Sequence, residues 1–60
     1  TPEPSEFAKR KKAEADRFVE QFKFKEALSL MEAALAQDET VAAYQDFMTS
    51  LKDVVEINEN

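Results

Sequence analysis

Glycine, cysteine, histidine and tryptophan are all missing from this sixty-residue chain, and each absence removes a class of answers. Tight β-hairpin turns need residues at positive φ, which glycine supplies at no steric cost. Without it, helices with short connections are favoured over strands. The same absence excludes an EF-hand loop, whose sharp turn needs a glycine, and a glycine-rich phosphate cradle. Lacking cysteine, the chain has no disulfide, and lacking histidine as well it has no good ligands for a structural zinc. The commonest general base and the best nucleophile are gone too, and Ser5, Ser29, Ser50, Thr40 and Thr49 have no recognisable activating partner. Many carboxylates are present, but most fall on expected solvent faces, where a charge run is ordinarily a solvated surface. No catalytic, cofactor-binding or metal-binding residue is therefore expected, and the chain reads as a non-enzyme.

Long hydrophobic runs are absent as well. Nothing approaches the roughly 20 apolar residues that span a bilayer, and no signal-peptide core opens the chain, so the sequence reads as soluble and without a membrane span. Absence of cysteine fits a reducing compartment, which suggests an intracellular location, cytoplasmic or nuclear. A chain of this size buries only about 60% of the surface it exposes when unfolded. With no covalent or metal staple, support must come from tight helix packing, from oligomerisation, or from a larger parent protein or complex.

What is present is helix-forming: alanine, glutamate and lysine are the commonest residues, with leucine and glutamine beside them, all of high helix propensity. Charge is segregated. Residues 1–25 hold seven lysines and arginines against five acids, whereas residues 26–60 hold only Lys52 against eight acids. A basic end and an acidic body attract each other within a molecule, between copies or across a partner interface, and the same charges also keep a small helical domain in solution.

Residues 1–4, TPEP, form a tail, because each proline pushes the residue before it toward extended geometry. Ser5 is the best N-cap, with Glu6 in a first turn where the helix dipole favours an acid. A first helix is expected over about 5–21. Its first half carries few apolar residues and is expected to be loosely attached. In its second half Ala15, Phe18, Val19 and Phe22 share a face at i, i+3, i+4, i+7, the spacing of a buried stripe. The apolar phase then breaks at Phe22-Lys23-Phe24-Lys25, which places a turn there although no glycine or proline marks it; the alternative is one unbroken helix over 5–37. A second helix over 24–37 gives Phe24, Ala27, Leu28, Met31, Ala34 and Leu35 a consistent stripe. Asp38 caps a third helix over 39–56, Thr40 being a possible cap one step later. There Val41, Tyr44, Met48, Leu51 and Val55 alternate three- and four-residue steps, with Phe47 and Val54 widening the face. Residues 57–60 lack periodicity and are expected to fray. Short connections favour antiparallel neighbours, so the expected fold is all-α: a single three-helix domain over 5–56, packed as an up-down-up antiparallel bundle.

The first two helices resemble a tetratricopeptide (TPR) repeat, and also the similar three-helix MIT domain. A frame over about residues 8–41 puts Ala8 and Ala15 at small-residue positions, Phe18 and Phe24 at aromatic ones, Ala27 and Ala34 at the signature alanines, and Met31 between them. Four positions depart from the pattern: Lys11 stands for the usual tryptophan, Glu14 for a leucine, Phe22 for the turn glycine and Glu39 for the closing proline. Kinship would imply a protein-binding module, with the ligand-facing side of the first helix falling on Lys9, Lys12, Asp16 and Val19. These share a face at i, i+3, i+7 and i+10, and the two lysines there would receive an acidic peptide or a C-terminal carboxylate.

Three functions follow as expectations. The first is a non-enzymatic protein–protein interaction module, an adaptor or scaffold piece of a larger protein or complex, taking an acidic peptide or an amphipathic helix. The second is a nucleic-acid or anionic-surface binding element using the basic run Lys9-Arg10-Lys11-Lys12, although four consecutive residues spread around a helix and only Phe7 offers a nearby stacking surface. The third is an oligomerisation domain, with helix 3 forming the seam of a homo-oligomer; its heptad-like pattern covers only about two heptads.

Overall fold

The computed structural model describes residues 3–59, apart from the side chains of residues 58 and 59. Three helices follow one another: α1 (Glu6–Glu20), α2 (Phe24–Gln37) and α3 (Gln45–Glu59), the last preceded by a 3₁₀ segment, Glu39–Tyr44. They pack as the up-down-up antiparallel arrangement expected, in a body of 35 × 18 × 15 Å. The helix α2 is its centre: α1, the 3₁₀ segment and α3 all pack against it, and α1 also meets the 3₁₀ segment. Among the described residues the α1 and α3 backbones make no close approach, and long side chains bridge them instead.

Helix α1 starts where its capping chemistry dictates. Ser5 is in extended geometry and its Oγ accepts a hydrogen bond from the Ala8 amide at 3.2 Å, occupying one of the donors that a helix N-terminus leaves unpaired. The C-terminus closes as a Schellman motif. The Lys23 amide donates to the Phe18 carbonyl at 2.8 Å and the Phe22 amide to the Val19 carbonyl at 3.0 Å, the 6→1 and 5→2 pair that defines this cap. Such a cap needs a left-handed residue, and Phe22 takes it, at φ 62°. The turn therefore falls where the apolar phase breaks, but its geometry corrects one expectation. Phe22 does not join the stripe of Ala15, Phe18 and Val19. Left-handed backbone swings its side chain off the helix face, leaving it 81% exposed with its ring edge-on to Phe24 at 6.1 Å.

The core is thin and made largely of small residues. Ala8, Ala15, Ala27, Ala34, Met31, Val41 and Leu51 are buried, with Phe7, Phe18, Val19, Phe24, Leu28 and Leu30 among the side chains packed around them. Alanines facing one another let helices approach closely, and Met31, the largest fully buried side chain together with Val41, fills the space beside them. Leu35, expected inside, is 38% exposed at the edge of the α2 stripe.

Three further expectations are corrected. The first half of α1 is not loosely held, because Ala8 is fully buried, Phe7 packs on the core and Ser5 is tied across the fold. The third helix begins not as α-helix but as six residues of 3₁₀ helix, a tighter winding seldom sustained beyond three or four; it brings Val41 into the core while keeping Tyr44 half-buried. Helical backbone continues through Ile57 to Glu59, where fraying was expected from residue 57. Of the tail over 1–4, residues 1 and 2 lie outside the described residues, as does residue 60.

Candidate functional site

The sequence points first to the α1 face bearing Lys9, Lys12, Asp16 and Val19. The structure brings Lys12 and Asp16 together: the Lys12 ammonium lies 2.8 and 3.1 Å from the two carboxylate oxygens of Asp16. It also sits 4.5 Å from the centre of the Phe47 ring and 6.0 Å from that of Tyr44, in the cation–π range. Its stem thus spans the gap between α1 and α3, and its side chain is only 28% exposed. Lys9 stands apart from this cluster, in a 3.8 Å ion pair with Glu6 at the surface, and Val19 is packed against the core. The four residues share a helix, but they do not form one open cationic face.

The rest of the basic run is similarly divided. Lys11 lies 3.4 Å from Glu14 and 5.5 Å from the centre of the Phe7 ring. Among the described residues Arg10 is the member of the run without an ion pair. Neighbours three and four apart on a helix meet by geometry, so α1 compensates most of its own charge.

At the N-terminus of α1, three polar residues form a clasp that sequence reasoning recognised only as separate caps. The Ser5 hydroxyl donates to Asp38 Oδ2, and the Ser5 amide donates to Thr40 Oγ1 at 3.1 Å. Thr40 in turn donates to Asp38 Oδ1 from its hydroxyl at 2.7 Å and from its amide at 2.9 Å. Asp38 thereby ends α2, caps the 3₁₀ segment and anchors the start of α1. Donors from Ser5 first, then from Thr40, favour the charged carboxylate and hold Asp38 below the usual carboxylate range. Each partner was visible in the sequence as a cap; their meeting was not, because it depends on α2 returning the chain to its starting level.

Two grooves flank the central helix. One, of about 230 Å³, runs between α2 and α3 over Leu28, Leu35, Ala42 and Met48, with Glu32, Gln45, Thr49 and Lys52 along its walls. The other lies between α1 and α2 near the elbow, lined by Glu14, Arg17, Phe18, Gln21 and Leu30. The first was missed by sequence reasoning, although Leu35 at the margin of its stripe was the available signal. Among the described residues no helix is long and apolar enough to cross a membrane, and no cluster of three or more carboxylates is arranged to hold a metal ion. Comparison of the chain with protein-family models, with curated proteins and with solved structures finds no match.

Proposed function

We propose that this chain is a non-enzymatic protein–protein interaction module whose α2–α3 groove receives one face of an amphipathic helix. The observation that carries this reading is the groove itself, lined by Leu28, Leu35 and Met48 together with one charge of each sign, Glu32 and Lys52. Its lining runs from Leu28 to Leu35 along α2 and from Gln45 to Lys52 along α3, a track of roughly 10 Å, enough for apolar anchors at i, i+3 or i+4 and i+7. A partner is placed there rather than on Lys9 and Lys12 because both ammonium groups already have intramolecular partners. The same pairing argues for a protein ligand over phosphate, which needs uncompensated cations.

The resemblance of residues 8–41 to a TPR repeat supports the reading from another side, since such repeats are binding modules built on a helical hairpin. Phe22 occupies the place of the repeat's turn glycine and adopts the left-handed backbone that a glycine takes there.

Selection of helical peptides against the folded domain, followed by chemical-shift mapping of the best binder, tests the proposal. Perturbations centred on Leu28, Leu35, Met48 and Thr49, with binding lost in Leu35→Lys, are expected. Recovery of no helical binder, or a footprint confined to α1 that Lys9→Glu with Lys12→Glu abolishes, would overturn it.

A further inference from the structure

The groove between α2 and α3 is bordered by the acidic half of the chain. Residues 26–60 carry eight acids against the single cation Lys52, and helix geometry sets four of those acids around the groove. Glu32 lines it from α2. Glu39 precedes another lining residue, Ala42, by three positions, and in a 3₁₀ segment residues three apart stack on one face. Asp46 and Asp53 stand three before and four after Thr49, which lines the groove from α3, so both fall beside it on the outer flank of that helix. All four are exposed. Among the described residues none of them has a cationic partner, because the ion pairs of Lys9, Lys11 and Lys12 all close within α1.

Positive charge at the groove is sparser. Lys52 lines it, and Lys25 lies two turns before Glu32 on the same side of α2, past the Leu28 end. Because α2 and α3 are antiparallel, Lys52 belongs to that end too. The acids therefore dominate the border, most of all toward Leu35 and Gln45.

We propose that the partner of this groove is a basic amphipathic helix, its apolar residues seated on Leu28, Leu35 and Met48 and its flanks bearing lysine or arginine. This rests on the groove reading given above and adds the sign of the partner's charge. A helix about 10 Å across, laid in the groove, carries its flanks over Glu32 on one side and toward Asp46 and Asp53 on the other. Cationic flanks meet complementary charge there, whereas an acidic helix meets uncompensated charge of its own sign and is rejected. The sign is the reverse of the acidic ligand that the basic run of α1 suggests, since α1 neutralises most of its own cations.

The test takes the sixty-residue chain and a set of synthetic helical peptides that share leucine anchors at i, i+3 and i+7 and differ only in flanks of lysine, glutamine or glutamate. Affinity is measured at low and at high salt, and the footprint is mapped by amide chemical shifts. The lysine peptide is expected to bind about tenfold more tightly than the glutamine peptide at low salt, and the glutamate peptide most weakly. The gap should narrow at high salt, with shifts centred on Leu28, Leu35 and Met48. Asp46→Lys with Asp53→Lys, both at exposed positions, is expected to abolish the preference for lysine. Glu20→Lys with Glu26→Lys, an equal change of net charge away from the groove, should leave it in place. Glutamine or glutamate peptides that bind the groove as tightly as the lysine peptide would overturn the basic partner while the groove reading stands. Absence of binding by the whole set would take down both. A lysine-peptide footprint outside the groove, or a preference that survives Asp46→Lys with Asp53→Lys, would also overturn the proposal.

Discussion

The Ser5 hydroxyl donates to the carboxylate of Asp38, 33 residues away, so the cap of the first helix is bonded to the cap of the third. Local signals for two helix starts thus become one tertiary contact that closes the α1–α2 hairpin. Asp38 is held below the usual carboxylate range by Ser5 first and Thr40 second. A carboxyl whose pKa is depressed on folding contributes stability above its unfolded value, and that contribution is lost as pH falls through the folded value. Thermal melts followed by circular dichroism should therefore show stability declining as pH falls below about 5. Asp38→Asn should be less stable at neutral pH and flatter over this window; an unchanged slope would show that other groups carry the acid response.

Met31 is the side chain on which the core depends. Truncating a buried methionine to alanine costs about 2–5 kcal/mol, whereas a domain of this size has roughly 3–9 kcal/mol in all. Met31→Ala should therefore be largely unfolded or only weakly folded at 25 °C, as read from urea titration. Leu35→Ala, at the exposed edge of the same helix, should shift the midpoint far less.

Phe22→Gly is expected to stabilise the fold by about 1 kcal/mol, because glycine adopts the left-handed region without the Cβ clash. In a domain this small, that gain corresponds to a rise in melting temperature of about 4–8 °C. A fall in melting temperature would mean that the Phe22–Phe24 ring contact outweighs the strain.

Lys12 and Lys9 should differ although they belong to one basic run. Lys12→Ala removes a partly shielded ion pair and the cation over Phe47, for about 1 kcal/mol. Lys9→Ala removes an exposed 3.8 Å pair and should be nearly silent. A double-mutant cycle between Lys12 and Phe47 isolates a contact that joins α1 to α3, and a coupling energy of zero would assign the loss to Asp16 and Tyr44.

The helix order, the elbow position and both caps were legible in the sequence, because each rests on local chemistry: Ser5 and Asp38 as acceptors for orphan amides, and an apolar phase that slips at Phe22. The stripe of α3 was legible for the same reason, and Val41 and Leu51 are buried as its spacing requires. Phe22 was misplaced because the stripe assumes helical φ up to its last member, and without a glycine no residue type advertised a left-handed backbone. The engagement of Lys12 was hidden because Phe47 lies 35 positions further along the chain and meets it only after two reversals. The 3₁₀ winding of residues 39–44 was equally out of reach: Val41 and Tyr44, three apart, suit either helix. For the candidate site, helical spacing located a shared face on α1, but the ion pairs that close it and the groove that opens beside α2 both depend on packing.

Among the described residues, four of the seven buried side chains are alanines. Alanine removes little apolar surface from water, and exposure of such surface is what raises the heat capacity when a chain unfolds. Helices so closely set therefore give this protein an increment at the low end of the usual range of about 12–15 cal/mol/K per residue, alongside an unfolding enthalpy kept small by its length. Its stability curve is shallow in both directions and its melting broad in calorimetry, so amide hydrogens even in the middle of α2 are expected to exchange with solvent at ordinary temperatures rather than stay locked away.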